Sequence, residues 1–251
     1  MGLLDFFKKK PAAATPAKTP NTPTGDLSKT AILYHLVQTP KNARDEKWQN
    51  TFLENVATAS FRCDDPQVQT GPDGFPYLQL HLPEPNTEFN CHVIKNEVNG
   101  LLESGLGIAI NPTSQGADWV FSYGDILCYQ LNNDFYENPN NMFSNKAGKE
   151  VLNEAEEVLI AQPSEAILPK ASRKVLSEFL KANGIQSPKI MLMSRANNGN
   201  ISTDLVFNVT EDQCKSEEHF RYVMRSIGWY LPKHYTYISI DDRTLGGFDT
   251  L

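Results

Sequence analysis

The chain has 251 residues, 40% of them hydrophobic, enough for one large core or two small ones. No apolar run approaches the roughly 20 residues that span a bilayer, and Cys63, Cys91, Cys128 and Cys214 lack the spacing of a disulfide framework or a zinc knuckle. The formal charge is −7, split as +3 over residues 1–29 and −10 over the remainder; an acidic body repels phosphate backbones and argues against nucleic acid as a partner.

The chain opens with MGLLDFFKKK, whose apolar stretch is too short for a secretory leader and precedes its lysines rather than following them. With four reduced thiols, the expected compartment is the cytoplasm. Residues 11–29 are rich in Pro, Ala, Thr and Lys, too poor in apolar surface to offset the entropy of ordering. Residues 1–29 therefore read as a disordered tail and linker.

Order is expected from Thr30, in a first module covering 30–150. Helices are predicted for TAILYHLVQ and ARDEKWQNTFLENV, the second with Trp48, Phe52 and Val56 on one face. ATASFRC reads as a strand, DDPQVQTGPDG as turn chemistry, and FPYLQLHLP as a half-buried strand with leucines at alternate positions. CHVIKNEVNGLLESG suits a helix closed by Gly105. LGIAINP and ADWVFSYGDILCYQL read as strand-rich, and the polar, Asn-rich residues 132–150 as an interdomain boundary.

The second module, 151–251, is predicted in six units. Strand EVLIAQ is followed by helix PKASRKVLSEFLKAN, strand KIMLMSR, an Asn/Gly turn and strand STDLVFNV. A helix opening at Thr210, with Gln213 completing a capping box, and strand YTYISI finish it. The β-α-β-β-α-β order predicts a ferredoxin-like sandwich, so the fold class is α/β (α+β), two modules behind a tail.

Along LYHLVQTPKNARDEKWQNTFLENV, VNGLLESGLGIAINPTSQGADWVFSYGDILCYQL and PKASRKVLSEFLKANGIQSPKIMLMSR, the chain resembles the enhanced serine sensitivity protein (SseB-like) family, over roughly Ala31 to Asp242. The resemblance implies a two-part cytosolic α/β protein of bacterial type whose biochemical activity is not defined. It implies no catalytic residues. The segment before Thr30 has no counterpart in it.

The motifs that carry chemistry are sparse. Gly105 and Gly107 follow a helix and open a strand, the reverse of a dinucleotide loop. The five histidines lie far apart in sequence, and none sits in a nucleophile-elbow pattern. Cys91-His92 are adjacent and would point about 100° apart on a helix; Asp241-Asp242 read as a solvated turn. The reading is therefore of no catalytic residue, no metal ligand and no cofactor.

Two groups of residues suit binding. Trp119, Tyr123 and Asp125 cluster around Gly124, joining apolar area to polar tips. Leu3, Leu4, Phe6 and Phe7, followed by Lys8–Lys10, form an apolar-basic segment on a long tether. Its expected partners are an unidentified protein or, weakly, an anionic membrane surface. The predicted function is a non-enzymatic protein-binding or adaptor protein. An amino-acid or metabolite sensor is the alternative, with a spatially assembled hydrolase third.

Overall fold

The computed structural model describes residues 25–136, 142–143, 157–197 and 200–251. Leu3, Leu4, Phe6 and Phe7, the tail to residue 24, and most of the 132–150 boundary lie outside the described residues. These form a mixed α/β fold of six α-helices and two mixed sheets.

Helix α1 (Leu27–Leu36) starts three residues before the predicted boundary because the Asp26 carboxylate accepts the Ser28 and Lys29 N–H groups. Helix α2 (Glu46–Val56) is capped by Asp45, which accepts from Trp48 N–H at 2.8 Å. Its Trp48, Phe52 and Val56 are buried as their spacing predicts. The first sheet runs β1 (Val68–Thr70), β2 (Pro76–Leu80), β3 (Gly107–Ile110), β4 (Trp119–Phe121), in that spatial order. Strands β1 and β2 are antiparallel, β2 and β3 parallel across helix α3 (Ile94–Ser104), and β3 and β4 antiparallel. Helix α3 ends at Gly105, whose φ of 70° is the left-handed conformation that glycine adopts without a Cβ penalty.

Several elements differ from those predicted. ATASFRC makes only isolated bridges, Ala59 to Asp26, Phe61 to His92 and Arg62 to His81. The predicted turn DDPQVQTGPDG contains β1, which the Gly71–Gly74 turn folds onto β2. ADWVFSYGDILCYQL is a strand only as far as Phe121. Helix α4 (Tyr123–Asn132) follows, set by a reciprocal capping box: Ser122 Oγ accepts Asp125 N–H at 3.1 Å while Asp125 Oδ2 accepts Ser122 N–H at 2.9 Å.

The second half contains β5 (Glu157–Ala161), α5 (Lys170–Ala182), β6 (Lys189–Asn197), β7 (Asn200–Phe207), α6 (Glu217–Tyr230), β8 (Tyr237–Ser239) and a short β9 (Asp249–Thr250). The Thr210 capping box is present but opens a 3-10 turn at Glu211–Gln213; Ser216 caps α6 itself. The β-α-β-β-α-β order along the chain is as predicted. The split pairing of a ferredoxin-like sandwich is not observed, because the strands lie in the order β5-β6-β7-β8. The tight β6–β7 hairpin fixes one edge of β6; its other edge takes β5 at residues 192–196 and β9 at residues 189–190. Strand β8 then has the free edge of β7, in parallel. Alternating apolar residues decide which side chains face inward, but not which strand becomes the neighbour.

The two halves share a core. One apolar cluster contains Phe52, Leu80, Ile108 and Phe121 of the first half together with Leu176, Ile190, Phe207 and Ile227 of the second. Helix α3 packs on α4 and α5, and α6 packs on α4 and α5. At the seam, the Trp229 ring stacks on Phe75 at 4.2 Å and its Nε1 donates to Tyr77 Oη at 2.8 Å. Gly124 allows the closest approach: a Cβ there would lie 1.9 Å from Leu231 O. The other face of the second sheet holds a smaller cluster, Met191, Met193 and Val206, packed against Leu245 and Phe248 of the C-terminal segment. Among the described residues no helix is long and apolar enough to cross a membrane.

Candidate functional site

The predicted trio around Gly124 does not form one exposed cluster: Tyr123 and Asp125 are buried, Trp119 is partly buried, and each meets different neighbours. Tyr123 is fully buried; its hydroxyl donates to Leu102 O at 3.1 Å and lies 3.0 Å from Ser172 Oγ. Burial pushes its phenol well above the usual range, against the opposing Ser172 hydrogen bond. Trp119 packs among Phe52, Trp48 and Phe121, with ring centroids 5.3, 6.0 and 6.1 Å away. These rings are spent on packing, as alternation in a sheet also allowed.

Asp125 is the unusual member, a carboxylate only 2% exposed. One oxygen serves the capping box, and the other lies 3.4 Å from Lys233 Nζ. Burial raises its pKa, while Lys233 and the Ser122 hydrogen bonds oppose the rise. Lys233 also sits over the Tyr136 ring at 4.3 Å. The carboxylate thereby joins the start of α4 to the loop after α6.

Cys63 lines a hollow of about 250 Å³ whose other walls include Arg62, Asp64, Glu84 and Glu88, and its thiol has no histidine beside it among the lining residues. Burial, followed by the charges of Asp64, Asp65 and Glu97, pushes its thiol up, away from the reactive thiolate. His92 is instead 3.2 Å from Glu97. Asp241 and Asp242 are held low, by Arg243 and by Lys189 respectively, the opposite of a shared-proton pair. Among the described residues no group of three or more His, Cys, Asp or Glu could hold a metal ion.

A different surface offers a candidate site. A groove of about 580 Å³ runs between α2, the start of α1 and the end of α4. Leu53, Ala57, Tyr129 and Phe135 give it an apolar floor, and Lys29, Glu54, Lys95 and Asp134 a charged rim. On α2, Leu53 and Ala57 are one turn apart on a face distinct from the Trp48–Phe52–Val56 stripe. At the far wall, Asn133 takes a left-handed φ of 57° that ends α4 and turns Phe135 inward, where it stacks on Tyr129 at 4.6 Å. Burial pushes the Tyr129 and Tyr136 phenols up, so both remain neutral at physiological pH. Such a lining can take apolar side chains below and opposite charges above.

No protein-family model matches this chain, and no curated protein or solved structure matches it either.

Proposed function

We propose that this chain is a non-enzymatic, cytoplasmic adaptor of the SseB-like type, and that the groove between α2 and α4 is where it holds a protein partner. The observation that carries the reading is the groove itself, with its apolar floor and mixed-charge rim. That combination resembles the apolar centre and polar edge of a protein interface. The SseB-like assignment rests on the three sequence segments quoted above. Affinity capture from native cytosol with the full chain, against the same chain carrying Glu54→Lys and Asp134→Lys, tests the reading. Both residues are exposed, so the fold should survive. A specific partner held by the wild type and lost by the variant is expected; identical captured sets would contradict it.

A second reading has its own observation. The groove volume falls within the range of small-molecule sites, and Lys29 and Lys95 share its rim with Glu54 and Asp134, a pattern suited to a zwitterion such as an amino acid. A thermal-shift panel of amino acids separates the two readings. A ligand at 100 times its Kd stabilises by about 2.7 kcal/mol, whereas an unchanged melting temperature across the panel leaves the adaptor alone.

A further inference from the structure

The groove lies beside the point where the N-terminal segment enters the described body. Asp26 N–H donates to Thr58 O at 2.9 Å, Lys29 Nζ donates to Thr58 Oγ1 at 2.8 Å, and both Lys29 and Thr58 line the groove. The preceding chain carries Leu3, Leu4, Phe6 and Phe7, then three lysines. We infer that residues 3–10 of this same chain occupy the groove, so that an external protein has to displace them. The inference rests on the groove being the recognition surface proposed above.

Chemistry and reach both favour this occupant. The apolar side chains match Leu53, which is open to the groove beside the buried Tyr129 and Phe135, and the lysines match Glu54 and Asp134 on a rim that also carries Lys29 and Lys95. The first ten residues carry three lysines and one aspartate against a body of −10, so approach is electrostatically favoured. Residues 11–24 form the connection, and a coil of that composition has an end-to-end distance of roughly 20 Å. A tether of that length holds its end at an effective concentration on the order of 1 mM. A segment that binds in trans with a Kd of about 0.1 mM, too weak to matter between molecules, would therefore fill the groove about nine-tenths of the time. The tail becomes a built-in competitor.

The test uses a fluorescent synthetic peptide of residues 1–10, titrated against two full-length proteins. One is the wild type; the other carries Leu3→Ser, Leu4→Ser, Phe6→Ser and Phe7→Ser. Occupancy in cis predicts that the peptide binds the serine variant about tenfold more tightly than the wild type. Adding Glu54→Lys and Asp134→Lys to the serine variant should weaken binding at least about fivefold. Equal binding to both proteins, no binding to either, or binding indifferent to the charge reversal overturns the inference. So does sedimentation of the wild type with phosphatidylserine vesicles when the peptide binds neither protein, which would put the segment on lipid. The predicted peptide pattern with no partner captured upholds the occupancy and removes only the adaptor reading. A partner captured through the rim with no peptide binding does the reverse.

Discussion

Gly124 shows how little room the fold leaves at the junction of its halves. It sits in the first turn of α4, against the backbone of Leu231. Backbone cannot swing aside as the end of a flexible side chain can, so Gly124→Ala should cost about 2–3 kcal/mol, in the range of overpacked cores; urea unfolding measures it. The next residue along α4, Asp125, makes stability depend on pH. Its folded pKa is raised, so the folded state binds its proton more tightly than the unfolded chain does. The resulting stabilisation is fully present below the ordinary carboxylate pKa and is lost as pH rises through the raised value. An Asn can still accept the Ser122 N–H but does not titrate. Asp125→Asn should therefore gain stability relative to wild type as the pH is taken from 3.5 to 7 in parallel denaturant titrations. A constant difference between the two proteins would show that Lys233 cancels the burial.

At the scale of elements, α4 is both the key piece and the one most easily misread. Trp119, Phe121 and Tyr123 alternate as a strand does, and three bulky rings at period two outweigh a short polar signal. The signal was nevertheless present: Ser122 and Asp125 have the spacing of a capping box, which ends the strand at Phe121 and begins a helix. Ser122→Ala should cost about 1 kcal/mol, seen as a lowered melting temperature. By contrast, the buried stripe of α2 was legible because Trp48, Phe52 and Val56 recur at helical spacing. The groove was not, because its lining comes from four separated segments that only the tertiary fold assembles. Strand order in the second sheet was equally hidden, since β9 adds two residues to the edge of β6 from a stretch beyond the last predicted strand. The segment carrying β9 is held by Lys189 and Asp242 at 2.7 Å. Asp242 has a lowered pKa, so its contribution exists above the ordinary carboxylate value and fades as pH falls through the folded one. This pair is solvent-accessible, and Asp242→Asn should cost no more than about 1 kcal/mol while speeding amide exchange at Asp249–Leu251.

Seen as a whole molecule, the two halves are joined by shared packing. The apolar cluster is continuous through α3, α4, α5 and α6, and Trp229 reaches from the second half into the first sheet. Such a core predicts one cooperative unfolding transition, with calorimetric and van't Hoff enthalpies in agreement. Two separated transitions would mean that the seam contributes little. Trp229→Ala should cost about 3–5 kcal/mol and bring that separation about. The common core leaves the surface for recognition, and the groove proposed for it lies at the entry of the N-terminal segment.

A photo-crosslinking amino acid at Asn50, on the groove wall, addresses this most directly in the full-length protein. Irradiation and peptide mapping should join residue 50 to residues 3–10 of the same chain. In the serine variant, irradiated in native cytosol, the crosslink should move to a second protein. Crosslinks to neither, in either protein, would contradict the account.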